Sequence, residues 1–145
     1  MRVMVMIKAN EASEAGQLPN TEVIASMHAY NESLMKAGIL LDGDGLKPSS
    51  QGRRISNRGG KPHVTDGPFA ETKELIAGFW VWEVSSMEEA IEWAKRCPAV
   101  NQSEEYAELE LRPFFEMEDF DENFTPELRE KEAAMREELE QKKSS

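Results

Sequence analysis

The sequence has little of what disulfide-bonded, membrane-spanning and nucleic-acid-binding proteins need. Its 145 residues include one cysteine, Cys97, so no disulfide can form within the chain and we expect a reducing compartment, the cytoplasm. The longest apolar run, Leu75 to Val84, is about half as long as a membrane-spanning helix. A net charge of −11 argues against nucleic-acid binding. We therefore predict a small cytoplasmic protein that binds neither membranes nor nucleic acid.

Metal and cofactor motifs are also missing from the sequence. The two histidines, His28 and His63, are far apart, and with a single cysteine they offer no zinc-binding spacing. Gly43-Asp44-Gly45 lacks the lysine and the helix start of a phosphate-binding loop. We expect no metal and no cofactor, and we interpret Cys97 as a small packing residue rather than a nucleophile.

The charge is distributed unevenly along the chain. Between Gly45 and Thr65 there are five basic residues and no acidic one, namely Lys47, Arg53, Arg54, Arg58 and Lys61. From Glu116 to the end, acidic residues exceed basic ones by six. The basic island has two interpretations, either a solvated hairpin edge or a site that captures an anionic ligand.

Apolar periodicity predicts a strand over Arg2 to Lys8 that is apolar on both faces, followed by a loop over residues 9 to 20. A helix then begins at Asn20 or Thr21 and ends near Ala37. Its predicted buried stripe consists of Val23, Met27, Tyr30 and Leu34.

The next predicted elements are mostly strands. A short strand over Ile39 to Leu46 precedes a hairpin, and Leu75 to Val84 forms a strand that is apolar on both faces. A second helix begins at Ser85 or Ser86 and ends at Cys97-Pro98, and a final strand covers Ala107 to Pro113. The hairpin strands are Gln51 to Asn57 and Pro62 to Thr65, joined around Gly59-Gly60.

This order of elements predicts an α+β fold of the ferredoxin-like type over residues 1–115. Two helices can cover only one face of the sheet, whereas two of its strands are apolar on both. We therefore predict a homodimer in which two sheets stack face to face. Residues 116–145 form a separate acidic extension with a helix from Thr125-Pro126 to about Lys142.

The most informative stretch is Asp66-Gly67-Pro68-Phe69-Ala70-Glu71-Thr72-Lys73-Glu74, which we call the DGPF segment. Asp-Gly-Pro favours a tight turn, and the turn presents several charged groups directly before a buried strand. Together with Gly78-Phe79-Trp80, Met87 to Ala94 and Glu110 to Pro113, it resembles the DGPF branch of the YCII-related (YciI-like) family over about residues 1 to 115.

The resemblance implies a ferredoxin-like fold, a dimer of the dimeric α/β-barrel type and a suspected active site. That site is built around a histidine on the first helix, matched here by His28, and a nearby aspartate. The position of the aspartate is occupied by Cys97, so either Asp66 or another carboxylate takes its place, or the pair is absent. Both residues also have a structural interpretation. Asp66 would accept hydrogen bonds from the amides of its turn, and His28 would be a partly buried residue that bonds a backbone carbonyl.

Two functions follow as hypotheses. The first is a small cofactor-independent enzyme in which His28, helped by Asp66 or Asp44, transfers a proton in an elimination or isomerisation. Its substrate is a small polar or anionic molecule held between the first helix and the sheet. The predicted substrate-binding residues are Arg53, Arg54, Glu71 and Lys73. The second is a non-catalytic dimeric module that binds a ligand or a protein partner, with the acidic tail helix as a docking element.

Overall fold

The computed structural model describes residues 1–144, which form two compact units, Met1–Phe114 and the segment from Phe115 onward. The first unit contains a four-stranded antiparallel sheet with the spatial order β2-β5-β1-β6. These strands are β1 (Arg2–Lys8), β2 (Leu40–Gly45), β5 (Ile76–Glu83) and β6 (Leu109–Pro113). With a helix after β1 and another after β5, this is the predicted ferredoxin-like fold.

Two longer helices of the first unit begin at side-chain caps that the sequence predicts. Helix α2 (Thr21–Lys36) is capped by Asn20, whose Oδ1 accepts a hydrogen bond from the Val23 amide at 2.9 Å. Helix α3 (Met87–Ala94) is capped by Ser86, whose hydroxyl accepts one from the Glu89 amide at 3.2 Å. A four-residue helix, α4 (Pro98–Asn101), follows it.

The segment predicted as a loop over residues 9 to 20 contains a short helix, α1 (Glu11–Glu14). Asn10 and Ser13 form a reciprocal capping box, in which the Ser13 amide donates to Asn10 Oδ1 at 2.8 Å and the Asn10 amide to Ser13 Oγ at 2.9 Å. The loop prediction is therefore wrong over these residues, because a helix of one turn leaves no periodic pattern.

The core lies between the sheet and the helices. In it the fully buried Val3 and Val5 of β1 pair with Trp82 and Trp80 of β5. Helix α2 covers these side chains with Tyr30 and Leu34, as predicted. The remaining buried residues are Ile39, Val84, Ala90, Ala94 and Cys97. Removing large apolar side chains from water is the main contribution to the stability of this unit.

One member of the predicted helix stripe does not reach the core. Val23 lies in the first turn of α2 and is 48% exposed, whereas the buried residues of the helix, Tyr30 and Leu34, lie in its second half. Its apolar character follows the helical period, but burial depends on which part of the helix meets the sheet.

The opposite side of the sheet carries Met4 and Met6 of β1 and Phe79 and Val81 of β5, which we call the open sheet face. None of these four partly buried residues belongs to the core that α2 and α3 cover in the described chain. Beside them Lys8 forms an ion pair with Glu110, with Nζ and Oε1 3.0 Å apart. The hydrogen bond from Lys8 lowers the pKa of the Glu110 carboxyl below its usual value.

The predicted hairpin is confirmed as a separate two-stranded ribbon, formed by β3 (Arg53–Arg58) and β4 (Lys61–Asp66). Gly59 and Gly60 join the strands with positive φ angles of 59° and 83°, which favour glycine. All twelve strand residues are exposed.

The second unit contains the predicted tail helix, α5 (Pro126–Ser144), which has no buried residue. Arg129 organises the segment before it by donating hydrogen bonds to the carbonyls of Phe124 at 2.8 Å and of Met117 and Phe120 at 3.1 Å. None of the helices within residues 1–144 is long and apolar enough to cross a membrane.

Candidate functional site

A groove of about 680 Å³ lies between helix α2 and the edge strand β2. Its wall combines apolar side chains with polar backbone and three polar residues, Asn31, Asp42 and Asp44. Asp42 and Asp44 lie opposite Val81 and Phe79 in the sheet, so their carboxylates point to the face away from α2. The lining residues are Ile7, Met27, Asn31, Met35, 40–45 and 77–80. A concave apolar surface with a few polar groups is typical of small-molecule sites.

Trp80 fixes the floor of this α2–β2 groove. Its indole N–H donates a hydrogen bond to Asn31 Oδ1 at 2.9 Å, so a residue of β5 is tied to a residue of α2. Gly43 allows β2 to lie against the ring, because a Cβ at this position would come within 2.6 Å of Trp80 Cδ1. The groove therefore has a rigid aromatic floor whose position depends on a glycine in the edge strand.

His28 forms an ion pair with Glu32, with Nε2 and Oε1 3.0 Å apart. The imidazole is 72% exposed, so it is not the partly buried histidine of the structural alternative. It lies three residues before Asn31 and seven before Met35, and this spacing places all three on one side of α2. Asn31 and Met35 line the groove and His28 does not, so His28 lies on the groove side of α2 but outside the lining.

The carboxylate beside His28 is thus Glu32, which the sequence analysis does not single out. Its signal is the spacing of four residues, which brings two side chains together on any helix. An exposed pair of this kind contributes little to the free energy of unfolding, about 0 to 1 kcal/mol. What the pair does is orient the imidazole of His28.

The structure separates the two predicted catalytic carboxylates, Asp44 and Asp66. Asp44 lines the α2–β2 groove, as noted above. Asp66 lies at the end of β4 and pairs with Arg53 across the hairpin, with Oδ1 and Nε 3.0 Å apart. Arg53 also donates to the Gly52 carbonyl at 2.8 Å, so both members of this pair are engaged outside the groove.

The DGPF segment is held by a chain of hydrogen bonds that begins at Glu14. Its carboxylate accepts hydrogen bonds from the Ser49 amide, at 3.0 Å, and from the Ser49 hydroxyl. The same hydroxyl accepts one from the Phe69 amide at 3.1 Å. Arg54 then stacks on Phe69, with its guanidinium carbon 3.9 Å from the ring centre.

Gly67 completes this anchor because its backbone lies against the turn at Ser49. Its amide donates to the Gly52 carbonyl at 3.1 Å, and the peptide bond to Pro68 is cis. A Cβ on Gly67 would lie 1.7 Å from the Ser49 carbonyl oxygen. Only glycine fits there without a backbone shift.

The last part of the DGPF segment faces a different cavity. Glu71 precedes a 3₁₀ turn over Thr72–Glu74, and the Glu71 carbonyl accepts a hydrogen bond from the Glu74 amide at 2.9 Å. Lys73 contributes to a second cavity of about 480 Å³ and not to the groove. The predicted substrate-binding residues are therefore divided among the hairpin, the turn and this second cavity.

Cys97 is fully buried, and burial raises the pKa of its thiol. Nearby, the Tyr30 hydroxyl donates a hydrogen bond to the Trp93 carbonyl at 2.7 Å, and burial raises the pKa of this tyrosine too. A buried thiol with a raised pKa is a poor nucleophile, so Cys97 is the packing residue that the sequence predicts. Across residues 1–144, no cluster of histidine, cysteine and acidic side chains suits a metal ion.

The family model for the YCII-related domain matches residues 1–115. The chain belongs to the YCII-related family. An uncharacterised protein of Rhizobium meliloti (strain 1021) is 32% identical over 91 residues, which cover 63% of this YCII-related chain and 72% of that protein.

A solved structure that is similar at a lower level is the 5-chloro-2-hydroxyhydroquinone dehydrochlorinase of Burkholderia phenoliruptrix AC1100, in complex with 2,5-dihydroxybenzoquinone. It is 15% identical, with a TM-score of 0.47, and the match covers 83% of this chain and 100% of that one. Similarity at this level does not establish a shared activity.

The Gly67 contact leads to a stability prediction. We expect Gly67→Ala to lower the free energy of unfolding by about 1–3 kcal/mol, because the new methyl group overlaps a carbonyl oxygen and the turn must shift. Urea unfolding measures this change. Gly45→Ala is the matched control, since a Cβ there meets no atom within 4 Å. Equal stability of the two variants would contradict the anchor described for the DGPF segment.

Proposed function

We propose that this chain is a cofactor-independent enzyme of the DGPF branch that transfers a proton on a small polar molecule. The observation that supports it most is the His28–Glu32 pair, on the same side of α2 as the groove-lining Asn31 and Met35. A histidine oriented by a carboxylate beside a small-molecule groove is suited to general acid–base catalysis near neutral pH.

The pair assigns a direction to the imidazole. Because Nε2 faces the Glu32 carboxylate, it carries the proton, and Nδ1 is the atom that accepts one from a substrate. Within residues 1–144 no other group hydrogen-bonds to this ring. Asp44, on the edge strand beside the groove, is the second proton-transfer group. Two such groups suit proton abstraction coupled to elimination or isomerisation.

The charge of the groove favours a substrate that is polar but not anionic. Asp42 and Asp44 line it, and among the described residues that line it none is basic. An anion would find no cation among these residues, and two aspartates lie on the adjacent edge strand. Binding of an anionic substrate by Arg53, Arg54 or Lys73 stays a prediction, as do a contact of Glu71 with a polar substrate and the role of Asp66, which here pairs with Arg53, as a catalytic group.

The test is a screen of small polar molecules for quenching of tryptophan fluorescence, since Trp80 lies in the groove, followed by turnover assays on those that bind. We expect His28→Ala to lower kcat by about 100-fold or more, because it removes the base. Glu32→Gln should cause a smaller loss of kcat. The glutamine amide can still hold the imidazole in place, but it removes the negative charge that stabilises the protonated ring.

His63→Ala is the matched control, since His63 is the other histidine and lies in the exposed hairpin. We expect its kcat to equal that of the wild type. Turnover by His28→Ala at the wild-type rate would refute the assignment of the base.

We also propose a homodimer in which the open sheet faces of two copies stack. The support is the partly buried apolar side chains Met4, Met6, Phe79 and Val81, which lie outside the helix-covered core of the described chain.

Analytical ultracentrifugation should give twice the 16.4 kDa mass of one chain. Val81→Arg should give the mass of a single chain, whereas Ile91→Arg, on the exposed side of α3, should not. A dimer that survives Val81→Arg would argue against this interface.

A non-catalytic dimeric module that binds a ligand or a protein partner is the second candidate function. Helix α5 favours it, because its apolar residues Leu128, Met135 and Leu139 are exposed and no residue of the helix is buried.

We propose that residues 1–115 are a domain that folds without residues 116–145. A chain ending at residue 115 should keep its melting temperature within a few degrees and lose partner binding. Unfolding of the truncated chain would contradict the domain boundary.

We place the protein in the cytoplasm as a further proposal. Its support is the single cysteine, which is buried as a free thiol and cannot form a disulfide within the chain. Cell fractionation tests this, and recovery of the protein from an oxidising compartment would contradict it.

A further inference from the structure

The second cavity lies where the DGPF segment meets the ends of β1 and β6. Ile7 and Leu109, which pair across these strands, form its apolar floor together with Ala9 and Ala107. Its volume of about 480 Å³ is within the range of small-ligand pockets. Among the described residues, Ile7 is the one that lines both this cavity and the α2–β2 groove. The two are therefore separate sites that meet at Ile7.

Charged side chains of both signs surround the floor, and two of them are unengaged. Lys73 and Glu11 form no ion pair or side-chain hydrogen bond in the part of the chain that the structure describes. Their neighbours are occupied, because Glu108 accepts a hydrogen bond from the Tyr106 hydroxyl at 2.6 Å and Lys8 is paired with Glu110. One free cation and one free carboxylate thus face one apolar cavity.

Three backbone amides of the wall, those of Lys8, Ala9 and Asn10, are already used. The Lys8 amide donates to the Glu108 carbonyl at 3.0 Å, and the Ala9 amide to the Leu75 carbonyl at 2.9 Å. The Asn10 amide donates to Ser13 Oγ. Among the charged side chains of the wall, Lys73 and Glu11 are thus the ones available to orient a ligand.

We propose that this cavity is a second binding site, for a zwitterionic amino acid with an apolar side chain. Lys73 binds the carboxylate, Glu11 binds the ammonium group, and the apolar side chain lies on the floor of Ile7 and Leu109. A carboxylate without an ammonium group would face Glu11 and Glu108, and an amine without a carboxylate would face Lys73. Only a ligand with both charges matches both unengaged groups.

The anchoring of the DGPF segment supports this role. The hydrogen bonds of Glu14 and Ser49 hold the segment at Phe69, and the 3₁₀ turn that carries Lys73 begins three residues later, at Thr72. A turn that is already fixed loses little conformational freedom when its lysine binds a ligand. The segment therefore serves to present Lys73 at the cavity.

Three matched probes test the proposal by titration of the full chain, followed by amide chemical shifts. L-Phenylalanine carries both charges, 3-phenylpropanoate lacks the ammonium group and 2-phenylethylamine lacks the carboxylate. We expect phenylalanine to shift the amides of Ala99, Tyr106 and Ala107 rather than those of Asn31 and Asp44. Its affinity should exceed that of either other probe at least tenfold, the usual effect of one charged hydrogen-bonded contact.

Variants assign each charge to its residue. Lys73→Gln should weaken phenylalanine about tenfold and leave 2-phenylethylamine unchanged, and Glu11→Gln should weaken phenylalanine similarly and leave 3-phenylpropanoate unchanged. Lys47→Gln is the control, since Lys47 is exposed and lies in neither wall. Equal affinity for the three probes, or no shift at millimolar phenylalanine, would overturn the proposal. A negative result here leaves the His28 site unaffected, because the probes report on separate amides.

Discussion

The whole structure depends on a sheet whose two central strands are apolar on both faces. On one face Val3 and Val5 lie opposite Trp82 and Trp80, and helices α2 and α3 cover them. On the other face the same strands present the open sheet face defined above. Two helices can remove only one face of the sheet from water. The apolar residues on the other face of the central strands therefore favour a second layer of protein packed against it. The fold, the position of the groove and the proposed dimer all follow from this constraint.

The central strand β5 also connects the two candidate sites. Its residue Trp80 forms the floor of the α2–β2 groove and is tied to α2 through Asn31. The DGPF segment enters the same strand from its other end, after a turn that Ser49 and Glu14 hold in place. The proposed proton-transfer pair thus lies on the helix that walls one cavity, and an unengaged lysine lines the other.

Local signals in the sequence were sufficient for most of the fold. Asn20 and Ser86 mark the helix starts because capping depends on residues three positions apart, and Gly59-Gly60 marks the hairpin because positive φ angles favour glycine. Helix α1 has a cap of the same kind at Asn10, but a single turn has no apolar period to accompany it, so the cap alone did not predict a helix. The exposure of Val23 depends on where α2 crosses the sheet, which is a tertiary property.

The candidate site was less accessible to sequence reasoning, because partners are set by register and by helix rotation. The pairing of Asp66 with Arg53 follows from the hairpin register, which turn residues indicate only approximately. Glu32 is readable from its spacing to His28, yet the same spacing occurs at many surface pairs of helices without function. That Lys73 and Asp44 belong to different cavities emerges only when the strands are assembled.

The most direct measurement is the solvent accessibility of methionine methyl groups in the full chain, by NMR with a soluble paramagnetic agent. If a second copy covers the open sheet face, the methyl signals of Met4 and Met6 should be protected. Those of Met35 and Met135, which are 64% and 58% exposed, should broaden and serve as internal controls. Broadening of the Met4 and Met6 signals to the same extent as these controls would contradict the claim that both faces of the sheet are withdrawn from water.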